Sequence, residues 1–413
     1  MTPAGRHYLD NAATTPVDPA VIAHMCAALG AEGCFANPSS SAHAAGRAAA
    51  QRVELARAQV ARLIGALPAQ IVFTSGATEA DNLAVLGTAR ALAPQCRHII
   101  SARTEHKAVL DAVRQLAREG FSITWLQPEA DGRVTAQAVA AALRADTALV
   151  SLMHVNNETG VIQDIQAIGE VCRERAVVFH VDAAQSVGRV PLDVSRLPVD
   201  LLSLSAHKIY GPKGVGALFV RAGRKAPLTP LMFGGGQESG LRPGTLPTHQ
   251  IAGFGLACEL AGAAREADSA RIVQWRDRLW SRLESLGGVT INAERAPRVP
   301  HILSVSFEGV DGESLVSALP ELAVSTGAAC NSALGEPSYV LRALGRTVRQ
   351  AESALRFSFG RFNTDEDIEA AAVQVRAVVQ RLRAVSPAAQ APVIPATLAV
   401  QADTLSPMVG GLF

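Results

Sequence analysis

Little in this chain points toward nucleic acid, membrane or metal. Basic and acidic residues nearly cancel, 38 against 37, for a formal net charge of +1, so there is no electrostatic case for binding nucleic acid. No apolar run approaches the roughly 20 residues that span a bilayer, and the amino terminus lacks a basic segment followed by an apolar core. The expectation is a cytoplasmic protein with no membrane partner. The six cysteines, Cys26, Cys34, Cys96, Cys172, Cys258 and Cys330, are scattered without a C-x-x-C pair, which argues against a disulfide framework and against a zinc site. No internal repeat is present. What remains is a chain of 413 residues, 48% hydrophobic, long enough for two domains with a full core between them.

Strand-like and helix-like runs alternate from about residue 17 to residue 260, the pattern of an α/β domain with a doubly wound, mainly parallel sheet. Helical runs lie at Arg47 to Leu63 and Ala108 to Glu119, and a third, Ile251 to Ala267, leads out of that domain. The pattern then changes. Ile302 to Phe307 and Leu355 to Phe359 read as strands of a smaller α+β domain, which would comprise residues 1–16 and 261–386. Arg271 to Arg282 reads as a solvated helix face. Residues 387–413 form an Ala/Pro-rich tail whose only charge is Asp403, an extended or partly disordered composition.

The chemistry concentrates at the ends of the apolar runs. Val199 to Leu204 is followed by Ser205-Ala206-His207-Lys208 and then by turn residues. An amine on a flexible stem becomes nucleophilic when burial or nearby charge lowers its pKa, so Lys208 reads as a Schiff-base lysine for pyridoxal phosphate, or else as a surface lysine in a Gly/Pro loop. Ala176 to Val181 ends in Asp182-Ala183-Ala184-Gln185. A carboxylate at a strand's carboxyl end can keep a pyridine nitrogen protonated, with Gln185 donating to the phenolic oxygen; the plainer reading of Asp182 is a helix cap. Ile71-Val72-Phe73, the turn Thr74 to Glu79 and a helix from Ala80 make either a phosphate site, with Thr78 adding a hydroxyl, or an ordinary capping box.

Taken together, Tyr8 to Pro16, Ser75-Gly76-Ala77-Thr78-Glu79, Thr104-Glu105-His106-Lys107, His154 to Gly160, Asp182 to Gln185 and Ser205 to Lys208 resemble the cysteine desulfurases in order and spacing. The likeness runs to about Ser386 and is closest to the housekeeping iron–sulfur-cluster and nitrogen-fixation type. It implies a homodimeric fold-type-I pyridoxal phosphate transferase that takes sulfur from L-cysteine and leaves L-alanine. The matching thiol is Cys330, in Ser325-Thr326-Gly327-Ala328-Ala329-Cys330-Asn331-Ser332. Its small, polar neighbours suit an exposed, mobile nucleophile better than the buried hydrophobe a free cysteine usually is.

The same resemblance assigns His106, otherwise readable as a core histidine, to stacking on the ring and to acid–base work. It places Ala77, Thr78, Ser205 and His207 around the phosphate, Asn157 and Arg356 on the substrate carboxylate, and Thr245 on the phosphate of the other subunit. Alternation in the last strand sets Leu355, Phe357 and Phe359 on the core face and Arg356 on the other, where a guanidinium clamps a carboxylate bidentately or forms a surface salt bridge. No resident metal is implied, Cys330 being at most a transient ligand of an iron–sulfur cluster. The sulfur acceptor would be an iron–sulfur cluster scaffold, a tRNA-thiolation relay or another carrier protein. The chain departs from the family pattern at Ser239, usually basic, at Pro243, usually small and flexible, and at Ala328 and Asn331 in the thiol loop. Another class V enzyme, such as an aminotransferase or a selenocysteine lyase, would share Lys208 and Asp182 without needing Cys330. A non-catalytic scaffold would be expected to have lost one of the three.

Overall fold

The computed structural model describes residues 7–93, 95–222, 227–326 and 337–385. In chain order, β1 (His7–Tyr8), α1 (Pro19–Cys26) and α2 (Ala44–Leu63) precede an alternating series: β2 (Ile71–Thr74), α3 (Ala77–Leu92), β3 (His98–Ala102), α4 (Lys107–Arg118), β4 (Ser122–Leu126), α5 (Ala136–Ala142), β5 (Thr147–Met153), α6 (Ile165–Glu174), β6 (Val178–Asp182), β7 (Leu201–Ser205) and β8 (Gly216–Val220). These strands form one seven-stranded sheet in the order β2-β8-β7-β6-β5-β3-β4. It is parallel throughout except for β8, which runs against both neighbours. Helices cover both faces, so β3, β5 and β7 are buried along their whole length and read as continuous apolar runs rather than alternating ones.

The chain leaves this sheet through α7 (Thr248–Glu284), a single helix of 37 residues. Its first half sends Ile251, Phe254, Cys258 and Ala261 into the core of the large sheet. Its second half sends Ile272, Trp275, Leu279 and Leu283 into another core, with Leu303, Phe307, Leu355, Phe357 and Phe359. The helix therefore runs past Ala267. Arg271, Arg278 and Arg282 occupy its wet face while the apolar residues recur at helical spacing on the other.

Beyond it lie β9 (Val289–Ile291), β10 (Ile302–Phe307), α8 (Gly312–Ser317), β11 (Leu322–Ala323), β12 (Ser325–Thr326), α9 (Tyr339–Ala343), α10 (Val348–Glu352), β13 (Ala354–Ser358) and α11 (Asp365–Val385). A four-stranded antiparallel sheet has the order β12-β13-β10-β9, and β1 pairs in parallel with β11. Leu9 sits in this second core and Asp10 bridges to Ser358, so the amino-terminal segment belongs with the carboxyl-terminal elements in space. The division at residue 260 falls inside α7, and we propose that residues 17–260 form one packing unit and residues 1–16 with 261–386 the other. Among the described residues no helix is long and apolar enough to cross a membrane. The tail from residue 387 lies outside the described residues.

Candidate active site

Parallel strands aim their carboxyl ends in one direction, and ligands of open α/β sheets bind there. The turn after β2 brings Gly76, Ala77 and Thr78; the turn after β3 brings His106; Asn157 follows β5; Asp182 ends β6, with Gln185 just beyond; Ser205, His207 and Lys208 close β7. All of these, together with Arg356 of β13, line one cavity of about 1090 Å³. The cavity lies between the large sheet and the second core, since Asp10, Ser325 and Pro337 line it too.

Lys208 Nζ donates to the carbonyl oxygens of Ala12 and Ala13, at 2.5 and 2.8 Å. Asp182 is buried, and one of its oxygens accepts from the Ala184 amide at 2.9 Å. Burial raises its pKa, while the Ala184 amide, His106 and Lys208 pull it down. His106 caps α4 by accepting from the Ala108 amide at Nδ1, 3.2 Å, which leaves its neutral-form proton on Nε2. Burial lowers its pKa against the pull of Asp182, and Lys208 lowers it further. His207, held by Thr14 Oγ1 at 3.1 Å, is pushed down to about 4 by burial and by Lys208. Gln185 Nε2 donates to the Ala12 carbonyl at 2.8 Å.

Pyridoxal phosphate suits these groups. The start of α3 presents helix amides that have no intrahelical acceptor. Gly76 there has φ of 154° and faces open space, a backbone conformation that favours glycine. β8 passes directly beneath: a Cβ on Gly216 would stand 2.7 Å from Gly76 Cα, so both glycines are required for the turn to lie as it does. A buried carboxylate needs a nearby positive charge to stay ionised, and a protonated ring nitrogen beside Asp182 would supply one.

At the other pole, Arg356 is 5% exposed. Its Nη2 pairs with Asp10 Oδ1 at 2.7 Å and its Nη1 donates to the Asn157 carbonyl at 2.8 Å. Asn157 Oδ1 is buried with no hydrogen-bond partner among the described residues. Cys330, with residues 327–336, lies outside the described residues; their flanking neighbours Thr326 and Pro337 both line the cavity. Thr245 is exposed and does not line it.

Asp10, Asp81 and Glu158 line the cavity, and Glu105 is buried beside it, accepting from the amide of the cavity residue Met153; the sequence assigns none of these carboxyl groups a role. Asp81 is buried on α3, 3.6 Å from His180 Nε2. Its pKa is raised by burial and by Asp182, and that of Glu105 likewise. Glu158 accepts from the Ser338 hydroxyl and is pushed up to about 7 by burial. Asp81 had a detectable signal, a charged residue on a helix face otherwise made of Ala80, Leu83 and Ala84.

Residues 7–371 match the family described as aminotransferase class-V. Cysteine desulfurase IscS of Vibrio vulnificus strain CMCP6 is 54% identical over 380 residues, 92% of this chain and 94% of that protein; that of Serratia proteamaculans strain 568 is similar to the same extent. Among solved structures, a NifS-like protein matches with a TM-score of 0.84 and 34% identity over 91% of this chain and all of the other. SspA in complex with cysteine matches at 0.78 and 37% identity over 87% of this chain and 100% of that one.

Proposed function

Because this chain belongs to the class-V aminotransferase family, and within it to the pyridoxal phosphate-dependent cysteine desulfurases, we propose that the cavity around Lys208 removes sulfur from L-cysteine and passes it to Cys330. Its substrate side would hold L-cysteine as the related SspA structure holds cysteine. The observation that carries the reading is the convergence of Lys208, Asp182 and His106 in one cavity, close enough that the charge of each alters the pKa of its neighbours.

The residues would divide the work as follows. Lys208 is the covalent attachment point, and once displaced by the substrate amine it takes the α-proton. Asp182 fixes the charge at the ring nitrogen, and Gln185 turns its amide toward the phenolic oxygen. Ala77, Thr78, Ser205 and His207 hold the phosphate. When bound, pyridoxal phosphate supplies an electron sink for the pair released as the Cα–H bond breaks. His106 moves a proton at Nε2, the nitrogen its cap leaves available. Arg356 and Asn157 orient the α-carboxylate. The Cys330 thiolate attacks the substrate sulfur: an S–S bond forms as the Cβ–S bond breaks, the electron pair of that bond leaves with the carbon side, and proton return there makes L-alanine the other product.

We further propose that two copies pair so that Thr245 of each reaches the phosphate bound by the other, that the enzyme works in the cytoplasm, and that its persulfide serves an iron–sulfur scaffold or a tRNA-thiolation relay. Purified protein given cofactor, L-cysteine and a thiol acceptor should form alanine and transferred sulfur in equal amounts. Pyruvate or free ammonia as the main product would replace desulfuration with another class-V reaction.

A further inference from the structure

Arg356 already holds a carboxylate. Its Nη2 lies 2.7 Å from Asp10 Oδ1 and 3.1 Å from Ser325 Oγ, and Ser325 Oγ itself donates to Asp10 Oδ1 at 2.8 Å. Nη1 is taken by the Asn157 carbonyl, while Nε is buried without a hydrogen-bond partner among the described residues. All four residues line the cavity. A buried guanidinium needs a counter-charge, and Asp10 supplies it from a position 346 residues away in sequence.

Bidentate recognition of a carboxylate takes two N–H groups of one guanidinium. Nε offers one, and the second on that side is the Nη2 that Asp10 occupies. Two carboxylates on one buried guanidinium would leave the group net negative and repel each other. Replacing one carboxylate with another conserves charge, and the Asp10 side chain, 19% exposed, has water to turn to when it lets go.

We propose that Asp10 is the built-in occupant of the carboxylate site on Arg356, that the substrate's α-carboxylate enters by exchange for it, and that Asp10 thereby sets substrate affinity. This rests on the reading that Arg356 receives the substrate carboxylate. Asp10 is then a positioning residue acting through Arg356, and Ser325 steadies it.

The test is Asp10→Asn in the full-length holoenzyme. With the competitor gone, KM for L-cysteine should fall about tenfold, within the usual range of coupling between sites, and kcat should change by less. The unpaired guanidinium should also lower the melting temperature, and sodium acetate should restore it where sodium chloride of equal concentration does not; the parent should show no such difference. If Asp10→Asn folds poorly, Ser325→Ala should still lower KM in the same direction, by less. An unchanged or raised KM in both variants, or a melting temperature indifferent to acetate, overturns the exchange and leaves Asp10 a structural ion-pair partner. Arg356→Gln separates the two ideas: if it leaves KM for L-cysteine unaltered, the carboxylate reading itself fails; if it raises KM while Asp10→Asn has no effect, only the exchange fails.

Discussion

Gln185 and Lys208 donate to the same acceptor, the carbonyl oxygen of Ala12, at 2.8 and 2.5 Å. Nearby, the Thr15 amide donates to the His207 carbonyl and Thr14 Oγ1 meets His207 Nδ1. One short amino-terminal turn thus positions the lysine, the glutamine and the histidine of the proposed cofactor site, and with Asp10 on Arg356 it reaches the substrate pole as well. Groups held by packing and hydrogen bonds lose little on adopting their working geometry.

Lys208→Ala should abolish the visible absorption of the lysine-bound cofactor and reduce alanine formation to background. Asp182→Ala should keep the absorption but lose on the order of 10²–10³-fold in kcat, as happens when a preorganised electrostatic partner is removed. Absorption spectra and turnover on the same preparations check both. A yellow, fully active Lys208→Ala protein would remove Lys208 from its role.

Glu158 links stability to pH with a definite sign. Its carboxyl rises from an ordinary 4.5 to about 7 in the fold, so the folded chain keeps a proton that the unfolded chain releases above pH 4.5. The stabilisation present below that pH is lost as pH rises to about 7, and amounts to about 3 kcal/mol for a shift of that size. Glu158→Gln still accepts from Ser338 but does not titrate. Denaturant unfolding should show the variant gaining on the parent between pH 5 and pH 8, and parallel pH profiles would contradict the assignment.

Thr245 is exposed on the single chain, as a residue serving a partner must be. Light scattering should report two chains, and Thr245→Ala should lose cofactor faster on dilution than the parent. A monomer that retains its cofactor would exclude the shared site, with Pro243 in the same loop the first residue to examine.

What sequence could and could not show follows from range. Lys208, Asp182, Gln185 and His106 each stand within a few residues of an apolar strand, so a local reading finds them and places them at one sheet edge. Asp10 and Glu158 owe their roles to partners 346 and 180 residues away, Arg356 and Ser338, and no local pattern announces such pairs. The continuity of α7 was hidden differently. Its second half carries so many arginines on one face that it reads as a separate solvated stretch, although Ile272, Trp275, Leu279 and Leu283 keep the helical period. The alternation that sets Arg356 opposite Leu355 and Phe357 was visible in sequence; that its guanidinium is nevertheless buried was not.

If sulfur leaves cysteine by way of a protein thiol, Cys330→Ser removes that route by changing one atom. A hydroxyl is a far weaker nucleophile than a thiolate at neutral pH, while Lys208, Asp182 and His106 are untouched. The decisive measurement is alanine formation from L-cysteine by the parent and by Cys330→Ser, with mass spectrometry of the peptide containing residue 330. The parent should carry an added sulfur on Cys330, and the variant should show a normal cofactor spectrum with neither alanine nor transferable sulfur. Alanine from the variant at the parent's rate, or a parent that turns over with no sulfur on Cys330, would contradict that route.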